Sequence, residues 1–289
     1  MVGALLSFSA VVISIRKLAG DGLNIFEILA IRTGGALVIL LALLAAHSDL
    51  RVHALPQRIN ILRNIVHYGS QYSYALSLTM LPLAMVFALE FTMPALTALL
   101  PVWLLQERMT PSLLGLVVFG LIGVLVILRP GVADFNPAAF LVLAATFGYA
   151  ITVITTKQLT RIETTFGIVF WMAVLQFPLS LIDSTPVVNL HLDIRQAFPL
   201  LGVAIAGLTS HYCHSNAFRA GDATLVVPLG FLRIPLIAVV GWVFYGERLD
   251  VFVVFGALII FNGVLWNLRS ETARACKSRV QNHPRAAII

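Results

Sequence analysis

Three ionisable side chains sit inside otherwise apolar stretches of this chain: Arg32, Glu90 and Arg233. A charge at the centre of a hydrocarbon layer costs about 2.5–3.5 kcal/mol even on permissive scales, so such groups face a cavity or a partner. Two arrangements follow. In one, Glu90 pairs permanently with Arg32 or Arg233 and locks helices together. In the other, Glu90 and Arg233 take opposite ends of a zwitterionic metabolite, the carboxylate holding an ammonium or sulfonium and the guanidinium a carboxylate. A third use of Glu90 is to carry a coupling proton.

A second polar group is spaced for one helix face, His67, Gln71 and Tyr74 falling at i, i+4 and i+7. His211 and His214, with Asn216 close by, stand at equivalent places later in the chain. Such rings and amides either line a cavity or form hydrogen bonds between helices. His211-Tyr-Cys-His214 resembles a pair of metal ligands, but two ligands without a nearby carboxylate make a poor site. Neither a metal nor a cofactor is expected. A membrane-embedded enzyme using His211 and His214 is the rival reading from another class.

The elements that position these residues are read from composition. Hydrophobic residues make up 59% of the chain and charged ones 11%, against about 25% charged in an average soluble domain. The two cysteines give no disulfide framework. The net charge of +6 lies in short loops and in the C-terminal tail, which fits a membrane surface and not nucleic acid. No Gly-rich phosphate loop appears, so ATP is not the driving force. A helix needs about 20 apolar residues to cross a bilayer. Ten such spans are expected, at about 2–18, 26–46, 63–80, 83–104, 111–129, 136–157, 164–184, 197–218, 222–245 and 250–268. The first is short, closed by Arg16-Lys17, and reads as a span completed by tilt or by upstream residues, not as a signal peptide. At 1.5 Å per residue, Arg32 and Glu90 lie about 9–10 Å below the outer ends of their spans and Arg233 about 15 Å from an inner end.

The chain also matches itself. Residues 71–129 set against 211–269, an offset of 140, agree at 13 of 59 positions without a gap, including Tyr72/Tyr212, Phe91/Phe231, Gly123/Gly263 and Arg129/Arg269. Loop charges orient the spans: with the N-terminus inside, twelve lysines and arginines fall inside and five outside. Both termini are then cytoplasmic. Each repeat holds five spans, an odd number, so the second half is inverted relative to the first. Inverted halves that exchange shapes imply alternating access around a site near the midplane. The duplicated corners Glu107-Arg108 and Glu247-Arg248 then lie on opposite faces, as caps and turn anchors or as gating salt bridges. Pro94 and Pro101, and Pro228 and Pro235, bend spans four and nine around the site. Gly115, Gly120, Gly123, Gly256 and Gly263 serve close helix packing.

The segments "LPLAMVFALEFTMPALTALLPVWLLQERMT" and "DATLVVPLGFLRIPLIAVVGWVFYGERLD" resemble the EamA repeats of the drug/metabolite transporter superfamily. "ILAIRTGGALVILL", with its Arg32, resembles the second helix of such carriers. Gln106 stands where the pattern usually has Gly, a departure that bears on the geometry of that turn. The resemblance runs from about residue 3 to 270. It implies an all-α integral membrane protein of ten helices in two inverted five-helix repeats. The first repeat is placed at 1–130 and the second at 131–270, with a basic cytoplasmic tail at 271–289. Its implied location is the inner membrane of a bacterial cell. The implied activity is secondary transport of a small organic metabolite, as in exporters of amino acids and importers of adenosylmethionine or riboflavin. The intramembrane glutamate favours a cationic or zwitterionic compound. The expected partners are that substrate, the lipid bilayer, a coupling proton and, in one arrangement, a second copy of the chain.

Overall fold

Peptide groups in an apolar segment have no water to bond to, so a helix is their way of satisfying one another. The computed structural model describes residues 2–47, 52, 58–105, 110–129, 136–184, 194–220, 233–248 and 250–282. Among these, eleven helices are formed: α1 Val2–Gly20, α2 Ile25–Ala46, α3 Arg58–Met80, α4 Leu83–Glu90, α5 Met93–Leu105, α6 Pro111–Leu128, α7 Ala139–Leu159, α8 Thr165–Ser180, α9 Ile194–Ala220, α10 Arg233–Tyr245 and α11 Val251–Asn282. Five stretches are long and apolar enough to cross a membrane: Ile25–Ala46, Leu83–Leu100, Pro111–Leu128, Ala139–Leu159 and Val251–Ser270. Thr165–Ser180 is apolar but shorter. Polar side chains on the long helices α3 and α9, where the site lies, set those two apart from the greasier group.

Helix starts follow local chemistry. Asn24 and Glu27 form a capping box on α2, Thr110 caps α6, Thr164 caps α8 and the Asp250 carboxylate accepts from Phe252 N at the start of α11. Each satisfies a backbone N–H that has no partner within its helix. Arg16-Lys17 does not close α1, which runs on to Gly20, because Arg16 is drawn into an ion pair with Glu247.

Span four is broken, not merely bent. α4 stops at Glu90 and α5 starts at Met93. Pro94 has no N–H to return to the carbonyl of Glu90, and its ring crowds the same carbonyl. The chain crosses the gap through Phe91 and Thr92, whose N–H groups turn back to Phe87 and Leu89, while Thr92 Oγ1 donates to Leu89 O at 2.8 Å.

Two helix starts recur 140 residues apart: α2 and α8 begin at Ile25 and Thr165, and α6 and α11 begin at Pro111 and Val251. Packing follows the same pairing. α3 lies on α7 as α1 lies on α9, α2 touches α9 as α3 touches α8, and α5 meets α7 as α1 meets α10, while α2 pairs with α8 and α6 with α11. In the α6–α11 pair a Cβ at Gly123 would lie 2.8 Å from Gly256 O, and one at Gly256 would lie 2.7 Å from Gly123 O. Only hydrogen at these positions allows so close a crossing. Gly115 and Gly263 are likewise pressed by Trp266 and Phe119. The outward faces of α6 and α11 expose Leu121, Leu125, Phe255 and Leu258, an apolar surface that suits lipid and not water.

Candidate functional site

Inside this apolar bundle the buried polar groups collect where α2, α3, α7, α8 and α9 meet. Arg32, on α2, is 8% exposed. It lies flat against α9 because residue 207 is glycine; a Cβ there would come within 2.6 Å of Arg32 Nε. Its Nη2 contacts His211 Nε2 at 2.7 Å. A guanidinium only donates, so His211 Nε2 accepts and that ring carries its proton on Nδ1. With the Gln71 amide turned to suit its neighbours, its oxygen accepts from Arg32 and its nitrogen donates to Gln176 Oε1 at 3.2 Å. Gln176 Nε2, on α8, donates to His67 Nδ1 at 2.9 Å and to Asn64 Oδ1 at 3.1 Å.

Aromatic rings then continue the polar row. His211 and His67 have centroids 5.2 Å apart, His67 and Tyr149 5.6 Å, and Tyr149 and Tyr74 5.9 Å. The far end of this row is acidic: the Tyr74 hydroxyl donates to Glu90 Oε2 at 2.8 Å. Glu90 is the last residue of α4, at the break that Pro94 imposes, and is buried. Interrupted helices are where carriers place binding groups, since freed backbone and side chains line the cavity there.

His67, Gln71, Tyr74, Arg32, His211 and Glu90 are therefore brought together. The permanent Glu90–Arg32 pair is not formed among the described residues; Arg32 is occupied by His211 and Gln71. Asn216 stands apart, accepting from Thr165 Oγ1 at 3.3 Å at the start of α8. The side chains of Arg233 and His214, and the whole of Pro228, Gln106, Glu107 and Arg108, lie outside the described residues. Four members were not foreseen: Arg63, Asn64, Tyr149 and Gln176. Gln176 and Asn64 carried a usable signal, an amide inside an apolar span. Tyr149 carried none, since a tyrosine in such a span is ordinary packing.

Glu247 does more than cap its own turn. Its carboxylate pairs with Arg16 of α1 and accepts from Leu83 N, the first residue of α4, at 2.9 Å. Arg16 also lies over the Tyr245 ring at 4.6 Å, and Gly241 leaves space for the carboxylate. Gly246, at φ +62°, makes the turn that swings Glu247 inward, a conformation glycine adopts without strain. One corner of the bundle is thus tied across α1, α4 and α10. A second tie joins Arg129 to Asp250. Arg248 is exposed.

Known proteins resemble this chain along most of its length. The S-adenosylmethionine uptake transporter of Rickettsia prowazekii is 25% identical over 88% of this chain and 86% of its own. That of Rickettsia felis is 26% identical over the same shares, and the riboflavin transporter of Brucella anthropi is 25% identical over 82% of this chain and 85% of its own. A crystal structure superposes with a TM-score of 0.61 at 18% identity, covering 95% of this chain and 98% of that one, and so shares the fold. The family and the relatives are transporters, not enzymes, which sets the His211/His214 enzyme aside. The profile of the EamA-like transporter family matches twice, over residues 1–129 and 136–269, and the chain belongs to that family.

Proposed function

We propose that this protein is a secondary carrier of a small organic metabolite in the inner membrane of a bacterial cell. It works by alternating access between two inverted five-helix halves, 1–130 and 131–270, and spans the bilayer ten times with both termini cytoplasmic. The observation that carries the reading is the buried polar row from Arg32 and His211 to Tyr74 and Glu90, built by helices of both halves inside an apolar bundle. The recurrence of helix starts at an offset of 140, and the exchange of packing partners between halves, support the duplication. A carboxylate at the helix break favours a cationic or zwitterionic, amino-acid-like substrate. Adenosylmethionine is the first compound to try, because relatives bear that name and because its sulfonium and ammonium suit Glu90. The aromatic row offers ring faces to a flat base.

The test is transport by purified protein in liposomes. Saturable uptake of labelled adenosylmethionine, and counterflow driven by unlabelled compound inside, are the expected results. If neither adenosylmethionine nor a panel of amino acids, polyamines and flavins shows counterflow, the carrier reading fails.

A further inference from the structure

Arg63 is a buried charged side chain with no role in the proposed carrier site. It lies on α3 one turn before His67 and is 4% exposed. Its Nε donates to Thr156 Oγ1 at 2.8 Å and its Nη1 to Asn64 Oδ1 at 3.2 Å. Asn64 Oδ1 also accepts from Gln176, Gln176 Oε1 accepts from Gln71, and the Gln71 oxygen accepts from Arg32. A chain of three amides therefore runs from one buried guanidinium to the other. Every acceptor in that chain is neutral, and neither arginine forms an ion pair among the described residues.

Neutral partners satisfy hydrogen bonds but not charge. A cation taken out of water without a counter-charge costs several kcal/mol, and two facing one polar box repel each other besides. Arg63 is too enclosed to borrow a lipid headgroup or bulk water. The box is also rich in donors. Two guanidinium groups bring ten N–H between them. His67, whose Nδ1 accepts from Gln176, keeps its proton on Nε2, a donor with no hydrogen-bond partner among the described residues. The missing component is an anion.

We propose that Arg63 and Arg32 form a subsite for an anionic group, carboxylate or phosphate oxygens, borne by the transported molecule. Guanidinium forks suit both groups through paired N–H···O bonds. The subsite rests on the carrier reading and deepens it. A zwitterion would lie along the aromatic row with its cation at Glu90 and its anion in the Arg63–Arg32 box, so the anion does not depend on Arg233.

The experiment is thermal unfolding of the purified full chain in detergent with sodium phosphate or sodium acetate, each against sodium chloride at matched ionic strength. At saturating anion the midpoint rises by about 5 °C over chloride. A response to phosphate alone assigns a phosphate-bearing substrate, and one to acetate alone a carboxylate. The shift vanishes in Arg63→Gln and in Arg32→Gln, because loss of a charged donor weakens binding about 10- to 100-fold. It persists in Arg58→Gln, an exposed arginine at the start of the same helix. Equal midpoints in all three salts, or a shift that survives Arg63→Gln, overturn the proposal. Should Arg63→Gln not fold, Arg63→Lys keeps the charge and loses the fork. It should need about tenfold more anion, and an unchanged requirement counts against the subsite. Because the readout is stability and not uptake, an anion shift without any counterflow would sink the carrier reading alone. Counterflow without an anion shift would sink the subsite alone.

Discussion

Glu247→Gln isolates the charge of the Arg16–Glu247 tie from its backbone bond. Glutamine keeps an oxygen for Leu83 N, so the start of α4 stays capped. Only the ion pair goes. Its side chains are 21% and 14% exposed, between the surface pairs worth about 0.2–1 kcal/mol and the buried ones whose breakage costs about 3–5 kcal/mol. A loss of about 1.4 kcal/mol lies between these limits, nearer the surface value, and that is tenfold in an equilibrium constant. If the tie holds one end of the cavity shut, the variant populates the state open at that end about tenfold more. The probe is a single cysteine at Ser77, fully buried on α3 one turn beyond Tyr74, in a background with Cys213 and Cys276 replaced by alanine. An impermeant maleimide added outside should label it about ten times faster in Glu247→Gln than in the parent. Arg16→Gln should act alike, and the double variant should add little to either, since both remove one interaction. Equal labelling rates in properly folded protein would refute the gate. So would additive effects, which would mean that each residue acts through a different contact.

Other consequences can be checked with the same preparations. Glu90→Gln should abolish uptake of a cationic substrate while protein yield stays normal; a fall in yield would show a lock between helices instead. Pro94→Ala supplies an N–H that can reach the carbonyl of Glu90, so α4 and α5 should fuse, thermal stability should rise and uptake should fall at least tenfold. Gly256→Val places carbon against Gly123 O and Ile127, an overpacking worth about 1–3 kcal/mol, and should lower the unfolding midpoint by several degrees. Cysteines substituted at Arg108 and Arg248 should label from opposite faces of the membrane, and labelling from one face would end the inverted arrangement.

How far the site could be read from residues depends on whether its members share a helix. His67, Gln71 and Tyr74 share α3, so spacing alone placed them on one face. Glu90 and Pro94 are four apart, and a proline that far beyond a residue removes that residue's helical bond, so the broken helix was foreseeable at the right carbonyl even though only a bend was expected. The offset of 140 found in identities returns in helix starts because caps and turns are local. Asp250 caps α11 where Thr110 caps α6, with different side chains for one backbone need. Contacts between helices are another matter. Arg16 meets Glu247 across 231 positions, and Gln176 meets His67 across 109. No spacing rule links such pairs, since they depend on how helices cross and rotate. Arg63 shows the cost of reading charge by position alone. One of the twelve basic residues that the loop-charge count places inside, it lies instead within the bundle, held by Thr156 of α7 and Asn64 of its own helix. A basic residue at a span end is ordinary when it reaches water. Buried between α3 and α7 with only neutral acceptors, it demands an anion, and that demand arises from packing that the linear pattern does not contain.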